Sequence, residues 1–355
     1  MQNHEWSCRE SALYGMMKRF VWSNQFWEEY QMPHALITGG AGFIGSHLAE
    51  LLIAQDYHVT VIDNLATGKI ENIAALDSSP KFQAAIEDIR NTNVLDRLVS
   101  ECDMIFHLAA AVGVERIIRE PIETIETNIG GTEEVLKTAR RYRKKVLVAS
   151  TSEVYGKGAQ FPFHEDNDVL LGPTIRNRWS YAASKMVDEF LALAYHKETN
   201  LQVVIFRLFN TVGPRQSGQY GMVVPRFVRW ALRGEPIIVT GDGQQSRCFG
   251  NVFDVVKAIA ALGETPEAVG EVINIGSTEE VSILELARRV KDRAGSSSEI
   301  KLVPYEQFYE PGFEDFRRRV PTTEKIQKLI GWTPTTSLDE TIDQIVAYER
   351  EVLNG

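Results

Sequence analysis

One short stretch of the sequence places two hydroxyl groups directly before a carboxylate. In "ASTSEVYG", residues 149–156, Thr151 and Ser152 precede Glu153. Hydroxyl and carboxyl groups at adjacent positions could bind and move protons at a site. A strand that simply ends in a turn at Gly156 would have the same pattern, so the chemistry depends on what lies around it.

A second stretch pairs a phenol with an ammonium group. In "YAASK", residues 181–185, Tyr181 and Lys185 are four residues apart, so on a helix they project from one face. An ammonium group near a phenol lowers the pKa of the phenol and makes phenolate available near neutral pH. The same pair is also common on solvated helix surfaces, so it indicates catalysis only in a suitable fold.

The elements that must position these groups follow an alternating pattern. β-Branched runs alternate with longer helical patterns, which predicts a doubly wound α/β (Rossmann) domain with a parallel sheet covered on both faces. The predicted strands are 35–38, 59–63, 104–109, 145–150 and 201–209, and the predicted helices are about 44–55, 121–143 and 180–198.

After Phe209 the pattern becomes irregular, with glycine and proline punctuation at 213–225. We predict helices at about 225–233, 282–294 and 338–352 and short strands near 237–240 and 272–275. The doubly wound (Rossmann) domain is expected to span 33–208, with later strands near 237–277 interleaved. A smaller α/β domain, 209–350, would lie over the carboxyl ends of the strands and bind the substrate.

A glycine-rich turn follows the first predicted strand. "ITGGAGFIGSHL", residues 37–48, places Gly39, Gly42 and Gly45 between a strand and a helix, where glycine permits a tight turn and close approach of a pyrophosphate. Asp63 ends the next strand, where a carboxylate can bind ribose hydroxyls and repel a 2′-phosphate. The motif predicts binding of NAD rather than NADP.

Composition excludes several other classes of protein. The chain has 355 residues, 44% of them hydrophobic, and a net charge of -10, which argues against nucleic-acid binding. Three scattered cysteines, Cys8, Cys102 and Cys248, suggest neither disulfides nor a metal site. The scattered cysteines lead us to expect a reducing compartment, the cytoplasm. No apolar run could span a membrane. Residues 1–32 are expected to be a disordered or loosely attached N-terminal extension.

Further motifs fall in a characteristic order, and their combination resembles the extended short-chain dehydrogenase/reductase superfamily over about residues 33–350. The similarity is to its NAD-dependent nucleotide-sugar epimerases, dehydratases and decarboxylases. The motifs are "TGGAGFIG", "HLAA" 107–110, "STSEVYG" 150–156, "YAASK", "RLFNTVGPRQ" 207–216, "GDGQQSRCF" 241–249 and "NIGS" 274–277.

The resemblance implies roles for individual residues around NAD. Asp88 and Ile89 would flank the adenine, Ala109 and Ala110 would line the path of the cofactor's sugar and phosphate, and Asn128 would support this region. Phe43, Ile44 and Asn64 belong to the same cofactor-binding set.

The resemblance also implies where the nucleotide-sugar substrate binds. Asn210 would contact the nucleotide diphosphate and Arg247 would be its counter-charge, because a guanidinium group grips phosphate bidentately. A late basic element, "FRRRVP" 316–321, would lie over the same diphosphate. Arg319 is our candidate there, although the motif leaves the register among its three arginines open.

The chemistry implied by the resemblance begins with oxidation at sugar C4. Tyr181 would remove the hydroxyl proton while hydride passes to NAD, supported by Lys185 and Thr151. Ser152 and Glu153 would face C5 and C6. The resulting ketone prepares the sugar for decarboxylation, epimerisation or dehydration.

Glu153 helps to choose among these reactions. The chain most resembles UDP-glucuronate decarboxylases, because it combines the predicted use of NAD, the motif "STSEVYG" and an arginine placed like Arg247. The motif "RWSYAASK" 178–185 is also similar to that of decarboxylases that form a 4-keto-pentose. If Glu153 is only a structural cap, a UDP-sugar 4-epimerase becomes the leading alternative, followed by an NDP-sugar 4,6-dehydratase.

Two further expectations come from the resemblance. A non-catalytic NAD-binding regulator is an alternative of another class, but the intact set of Thr151, Tyr181 and Lys185 argues against it. The helices at about 121–143 and 180–198 resemble the four-helix bundle through which the family forms dimers, so we expect a homodimer.

Overall fold

The computed structural model describes residues 32–113, 117, 119–218, 222–308 and 317–354. The predicted extension therefore lies, except for Met32, outside the described residues. Everything below concerns the compact unit that begins at His34. Among the described residues, no helix is long and apolar enough to cross a bilayer.

The described strands of this unit are numbered in chain order. They are β1 His34–Thr38, β2 His58–Asp63, β3 Phe82–Ile86, β4 Met104–His107, β5 Lys145–Thr151, β6 Val203–Leu208, β7 Thr211–Val212, β8 Ile237–Thr240, β9 Ser246–Cys248, β10 Gly250–Asn251, β11 Val272–Ile275, β12 Glu280–Ser282, β13 Ile300–Val303 and β14 Arg318–Arg319.

The helices alternate with these strands. They are α1 Phe43–Ala54, α2 Thr92–Glu101, α3 Pro121–Ile125, α4 Gly131–Tyr142, α5 Ser180–Thr199, α6 Val223–Arg233, α7 Val252–Glu264, α8 Ile283–Arg293, α9 Tyr305–Phe308, α10 Glu324–Ile330 and α11 Leu338–Asn354. A π-helical turn, Glu126–Gly130, joins α3 to α4, and 3₁₀ turns cover Ser152–Tyr155 and Asn177–Trp179.

The central sheet confirms the predicted doubly wound α/β class. Seven parallel strands lie in the order β11-β6-β5-β4-β1-β2-β3. The inner strands are apolar and buried on both faces, as in β1 "HALIT", because helices cover both sides. One face packs on α1 and α7, and the other packs on α2, α4 and α5.

A second core forms beyond the main sheet. It contains the apolar faces of α6, α8 and α11 and the strand β8, which pairs with β13. The strand β11 lies in the main sheet instead, beside β6. Chain segments after residue 209 therefore contribute to both cores.

The elements absent from the sequence prediction include β3, α2 and α7, and one predicted helix is divided. The edge strand β3 has exposed residues at three of its five positions, and α2 lies between two strands. Helix α7 is buried over most of its length, so it lacks the polar face by which a helix is recognised. The predicted helix 121–143 contains the π-helical turn, in which Asn128 is buried.

A buried ion pair joins the helix that carries Tyr181 to the sheet. Glu189 of α5 accepts hydrogen bonds from Arg207 of β6 at 2.9 and 2.7 Å and one from the Ser150 hydroxyl of β5. The Arg207 guanidinium also lies over the ring of Tyr155, 4.7 Å from its centroid. These contacts set the position of α5 relative to the carboxyl end of β5.

We expect Arg207→Ala to lower the free energy of unfolding by about 3–5 kcal/mol, because it leaves the Glu189 carboxylate buried without its charge partner. The measurement is urea denaturation followed by circular dichroism. The matched control is Arg293→Ala, since Arg293 pairs with Asp343 where both side chains are about two-fifths exposed, 41% and 43%. That change should cost no more than about 1 kcal/mol, and equal losses in the two variants would contradict the assignment.

Candidate active site

A cavity of about 470 Å³ opens at the carboxyl ends of the central strands. It is lined from below by the sheet and from above by residues of the later segments, including β9 and β14. Of the predicted site residues, all except Asn128 line it: Gly39, Gly42, Phe43, Ile44, Gly45, Asp63, Asn64, Asp88, Ile89, Ala109, Ala110, Thr151, Ser152, Glu153, Tyr181, Lys185, Asn210, Arg247 and Arg319.

The glycine turn between β1 and α1 is shaped for close approach. Gly39 has a φ of +72°, and a Cβ there would lie 2.8 Å from the Ala109 nitrogen. A Cβ on Gly45 would lie 2.3 Å from the Gly39 carbonyl oxygen. Helix α1 starts after Gly42 with no side chain capping its first turn, so its N–H groups are available to an anion such as a pyrophosphate.

Asp63 closes the far side of this turn. Its carboxylate accepts hydrogen bonds from the backbone N–H groups of Ala41 at 3.0 Å and Leu65 at 2.8 Å. Burial raises the pKa of this carboxyl group, and these backbone bonds oppose the rise. The carboxylate faces the cavity, where ribose hydroxyls could donate to it and a 2′-phosphate would be repelled.

Asp88 and Asn64 form the outer end of the same region. Asn64 donates to Asp88 at 2.9 Å, and Arg90 binds the Asp88 carboxylate through two nitrogens at 2.9 Å each. Arg90 is the main reason why the pKa of Asp88 falls to about 2. Asp88 is therefore ionised and held in place, which suits it to accept hydrogen bonds from an adenosine group.

Asn128 supports the cavity from behind its wall. Its side-chain oxygen accepts a hydrogen bond from the Ala111 N–H at 2.8 Å, and its amide nitrogen donates to Ser184 on α5 at 3.0 Å. The π-helical turn directs this side chain inward, and such turns are frequent at functional sites. Asn128 thus ties the segment after β4 to the helix that carries Tyr181.

Thr151, Tyr181 and Lys185 meet at the inner end of the cavity. Thr151 ends β5, and the other two lie one turn apart on α5. Burial raises the pKa of the Tyr181 hydroxyl, and the negative charge of Glu153 raises it further, whereas the Thr151 hydroxyl lowers it. The Lys185 ammonium group is buried and donates to Asp188 at 2.8 Å.

Glu153 lies between two guanidinium groups. Arg319 of β14 donates to one carboxylate oxygen at 3.0 Å, and Arg178 donates to the other. Burial by itself would raise the pKa of Glu153, but the two arginines outweigh it and lower the pKa to about 2. The turn at Ser152–Tyr155 is capped by the Thr151 hydroxyl, which accepts from the Glu153 N–H. The cap therefore comes from Thr151, and the Glu153 side chain is directed to the arginines.

Arg178 was missed by sequence reasoning. It is 5% exposed, lines the cavity and lies three residues before Tyr181, in the 3₁₀ turn that leads into α5. The available signal was its position, since a residue one turn before the candidate catalytic residue Tyr181 lies on the same face of a helix. A single arginine in a loop is more often solvated, so its role depended on the fold.

The register of the late basic element is settled by β14. Arg319 is buried and points to Glu153 and to Ser152, whose hydroxyl is 3.5 Å away. Arg318 instead pairs with the exposed Glu280, and Arg317 lies within 3.5 Å of Asp242. Arg319 is therefore the arginine of this element that lines the cavity, and its described contacts are at the Glu153 end.

Asn210 and Arg247 approach the cavity from the later segments. Asn210 donates to the Cys248 carbonyl oxygen at 3.0 Å, and Arg247 donates to the carbonyl oxygen of Ser246 at 2.8 Å. Strands β9 and β14 are parallel neighbours in which Arg247 lies opposite Arg319. The two arginines thus form adjacent positive positions on the upper wall.

This geometry is that of a dinucleotide-dependent enzyme. The profile of the family described as "GDP-mannose 4,6 dehydratase" matches residues 36–345. A UDP-N-acetyl-alpha-D-glucosaminuronate decarboxylase of Bacillus cytotoxicus is 45% identical over 90% of this chain and 98% of its own length. UDP-glucuronic acid decarboxylase 1 of Arabidopsis thaliana is 37% identical over 90% of this chain and 70% of its own length.

A solved structure of a nucleotide-sugar epimerase has the same fold as this chain. The UDP-glucuronic acid 4-epimerase of Bacillus cereus, in complex with UDP-glucuronic acid and NAD, aligns with a TM-score of 0.81 and 31% identity over 90% of this chain and 99% of that one. The chain belongs to the GDP-mannose 4,6 dehydratase family, within the extended short-chain dehydrogenase/reductase superfamily of NAD-dependent nucleotide-sugar-modifying enzymes.

We expect Asp63→Ala to weaken NAD binding about tenfold or more, because hydrogen bonds to a charged group are lost, and to relax discrimination against NADP. Calorimetric dissociation constants for the two cofactors would measure this. Asp63→Asn is the matched control: it removes the charge but keeps an acceptor for the turn, so it separates the repulsion of the 2′-phosphate from turn geometry. An unchanged preference in both variants would show that the ribose site lies elsewhere.

Proposed function

We propose that this enzyme decarboxylates a UDP-linked hexuronate through a 4-keto intermediate, with NAD as its cofactor. The observation that carries the proposal is the pair of buried guanidinium groups, Arg178 and Arg319, on either side of Glu153. Two positive charges and one negative charge leave a net positive charge beside Tyr181. Such a place suits an anionic sugar group, and a C6 carboxylate is the group that decarboxylation requires.

The relatives support an acidic sugar. Those reported above act, by their names, on UDP-glucuronic acid or UDP-N-acetylglucosaminuronic acid. The substrate in the name of the 45% identical relative has an acetamido group at C2 of the sugar. We therefore propose a UDP-hexuronate as the substrate class, with the 2-acetamido sugar and the 2-hydroxy sugar as the first two compounds to compare.

The residues of the cavity would have separate roles in cofactor binding and proton transfer. The glycine turn and the start of α1 would hold the cofactor's pyrophosphate, and Asp63 would bind its ribose. When bound, NAD would supply reversible hydride transfer at C4 of the sugar. Tyr181 takes the proton of the C4 hydroxyl and later gives one back, while Thr151 hydrogen-bonds the same oxygen and Lys185 supplies positive charge.

The acidic sugar group would sit at the arginine end. At neutral pH Glu153 is ionised, because the arginines depress its pKa to about 2, so it is not a proton donor in the resting site. It organises the two guanidinium groups. Once the substrate's carboxylate competes for them, Glu153 would take up a proton from solvent and deliver it to C5, which needs a proton after carbon dioxide leaves. Asn210 and Arg247 would bind the diphosphate from the upper wall.

A second candidate is 4-epimerisation of the same kind of substrate, favoured by the structural likeness to the UDP-glucuronic acid 4-epimerase. Both reactions begin with oxidation at C4. They differ in whether carbon dioxide leaves before hydride returns, so product analysis separates them.

We expect the purified enzyme to release carbon dioxide from UDP-glucuronate or UDP-N-acetylglucosaminuronate, detected as a UDP-pentose product by mass spectrometry. Tyr181→Phe should retain bound NAD and abolish turnover, because it removes the acid–base hydroxyl with little change of volume. Interconversion of UDP-glucuronate and its 4-epimer without loss of mass would instead establish the epimerase.

Glu153→Gln should slow decarboxylation selectively, by about 10²–10⁴-fold if Glu153 acts in proton transfer. The hydride step is preserved in this variant, so NADH should accumulate and be visible by absorbance after mixing with the UDP-hexuronate. Tyr181→Phe is the control in which no NADH forms. Wild-type rates and no accumulation of NADH in Glu153→Gln would show that this carboxylate has no part in the reaction.

We also propose that the protein is a homodimer. Helices α3 and α5 expose large apolar side chains, with Ile122 72%, Ile125 40%, Val187 43% and Phe190 70% exposed. These helices pack together, and their apolar side chains would be buried against a second copy.

A reducing compartment such as the cytoplasm remains our expectation, and the thiols of Cys102 and Cys248 are free.

Phe190→Glu should convert the dimer into a monomer, because it places a charge in the apolar contact between copies. Light scattering at micromolar concentration measures the mass. The control is Val352→Glu, an exposed apolar position on α11 that is 53% accessible and should leave the mass unchanged. A monomeric wild type would overturn the proposal.

A further inference from the structure

A buried acid, Asp188, contacts the catalytic lysine. It lies on α5 one turn after Lys185, its side chain is fully buried, and its Oδ2 accepts the Lys185 ammonium group at 2.8 Å. Asp188 is not among the described residues that line the cavity. It therefore touches the catalytic machinery from within the fold, and the mechanism above does not use it.

The neighbours of Asp188 come from three elements. On its own helix, Glu189 is engaged by Arg207. Burial raises the pKa of Asp188, and the Lys185 ammonium group and the Thr132 hydroxyl of α4 oppose the rise. From β4, His107 hydrogen-bonds Thr132 at 2.9 Å, and burial lowers the pKa of His107 to about 3. His107 is therefore neutral, and among these neighbours only Lys185 brings a positive charge to Asp188.

This arrangement is costly for a purely structural residue. The second oxygen of Asp188, Oδ1, is buried without a hydrogen bond of standard geometry to any described residue. Removing a carboxylate and an ammonium group from water costs several kcal/mol per ion, and apolar residues of similar volume usually do as well. Such a pair beside a catalytic tyrosine is more readily explained by function.

The charges around Tyr181 show what that function would be. Burial raises the pKa of its hydroxyl group, the carboxylates of Glu153 and Asp188 raise it further, and Thr151 and Arg319 lower it. Both carboxylates therefore oppose ionisation of the phenol. Glu153 reaches Tyr181 from the arginine end, whereas Asp188 acts from the interior, next to Lys185.

We propose that Asp188 is a positioning residue for the acid–base pair: its carboxylate holds the Lys185 ammonium group in place, and its negative charge offsets that of the ammonium group, so that Tyr181 can both accept a proton and give one back. Tyr181 must both accept the C4 hydroxyl proton and return one to the same oxygen. A phenol that ionises too easily would be a poor donor in the return step. The inference rests on the acid–base role in the proposed function, but not on the identity of the sugar.

The test is the ionisation of Tyr181 without any substrate. Tyrosinate absorbance is recorded against pH for the wild type and for Tyr181→Phe, and the difference isolates one of 11 tyrosines. The same difference is taken in the Asp188→Asn background. Deleting a negative charge makes a phenol easier to deprotonate, so the Tyr181 signal should appear about one pH unit lower in Asp188→Asn. An unchanged or higher midpoint overturns the proposal.

Turnover supplies a second readout. In the presence of NAD and the UDP-hexuronate, the acid limb of the rate of NADH formation should move to lower pH by a similar amount in Asp188→Asn. Asp188→Glu keeps the charge and should titrate like the wild type. If the enzyme does not turn over these sugars, the proposed function fails, while the tyrosine titration still decides the role of Asp188.

Matched variants separate charge from stability. Asp254→Asn neutralises another buried aspartate, which binds the Thr335 and Thr336 N–H groups at 2.9 and 2.8 Å. It should lower the melting temperature without moving the Tyr181 midpoint. Asp188→Ser is a second neutral variant, for use if Asp188→Asn does not fold. If both neutral variants unfold while Asp188→Glu behaves as the wild type, Asp188 is a structural residue and the proposal is wrong.

Discussion

The site depends on the buried ion pair that joins helix α5 to the sheet. Glu189, four residues after Lys185, binds Arg207 of β6 and the Ser150 hydroxyl of β5. Thr151 is the next residue along β5, so this contact aligns the hydroxyl at the strand end with the phenol and the ammonium group on the helix. Because the pair is desolvated, its geometry is well defined and its loss would be expensive.

The same network reaches the upper wall of the cavity. The ring of Tyr155 lies under Arg207, and its hydroxyl donates to Asn274 of β11 at 2.8 Å. The backbone of Phe163 pairs with the segment just after Arg319, with the Phe163 N–H donating to the Val320 carbonyl oxygen at 2.7 Å. Aromatic stacking of Tyr155 on Phe163 joins the two parts. The guanidinium group of Arg319 is therefore positioned by the interior that also positions Thr151.

Local charge in the cavity opposes the charge of the whole chain. The sequence carries a net charge of -10, yet Arg178, Arg247 and Arg319 are all buried at the cavity wall. An acidic protein can bind an anionic nucleotide sugar because the interaction is set by desolvated groups at short range, where screening by solvent is weak. Glu153 balances part of this positive charge until an anionic ligand arrives.

Sequence alone determined the features that are local in the chain. The strand, glycine turn and helix around Gly39 follow from the order of residue types, and so do the single face shared by Tyr181 and Lys185 and the alternation that predicts a parallel sheet. Contacts between distant segments were decided only by the tertiary structure: the meeting of Arg178 and Arg319 on Glu153, the inward register of Arg319 within its basic element, and the burial of Asp188 against Lys185. The reason is physical, because spacing along a helix or strand fixes which side chains share a face, whereas the charge state of a carboxylate depends on which groups the fold brings to it and how much water it removes.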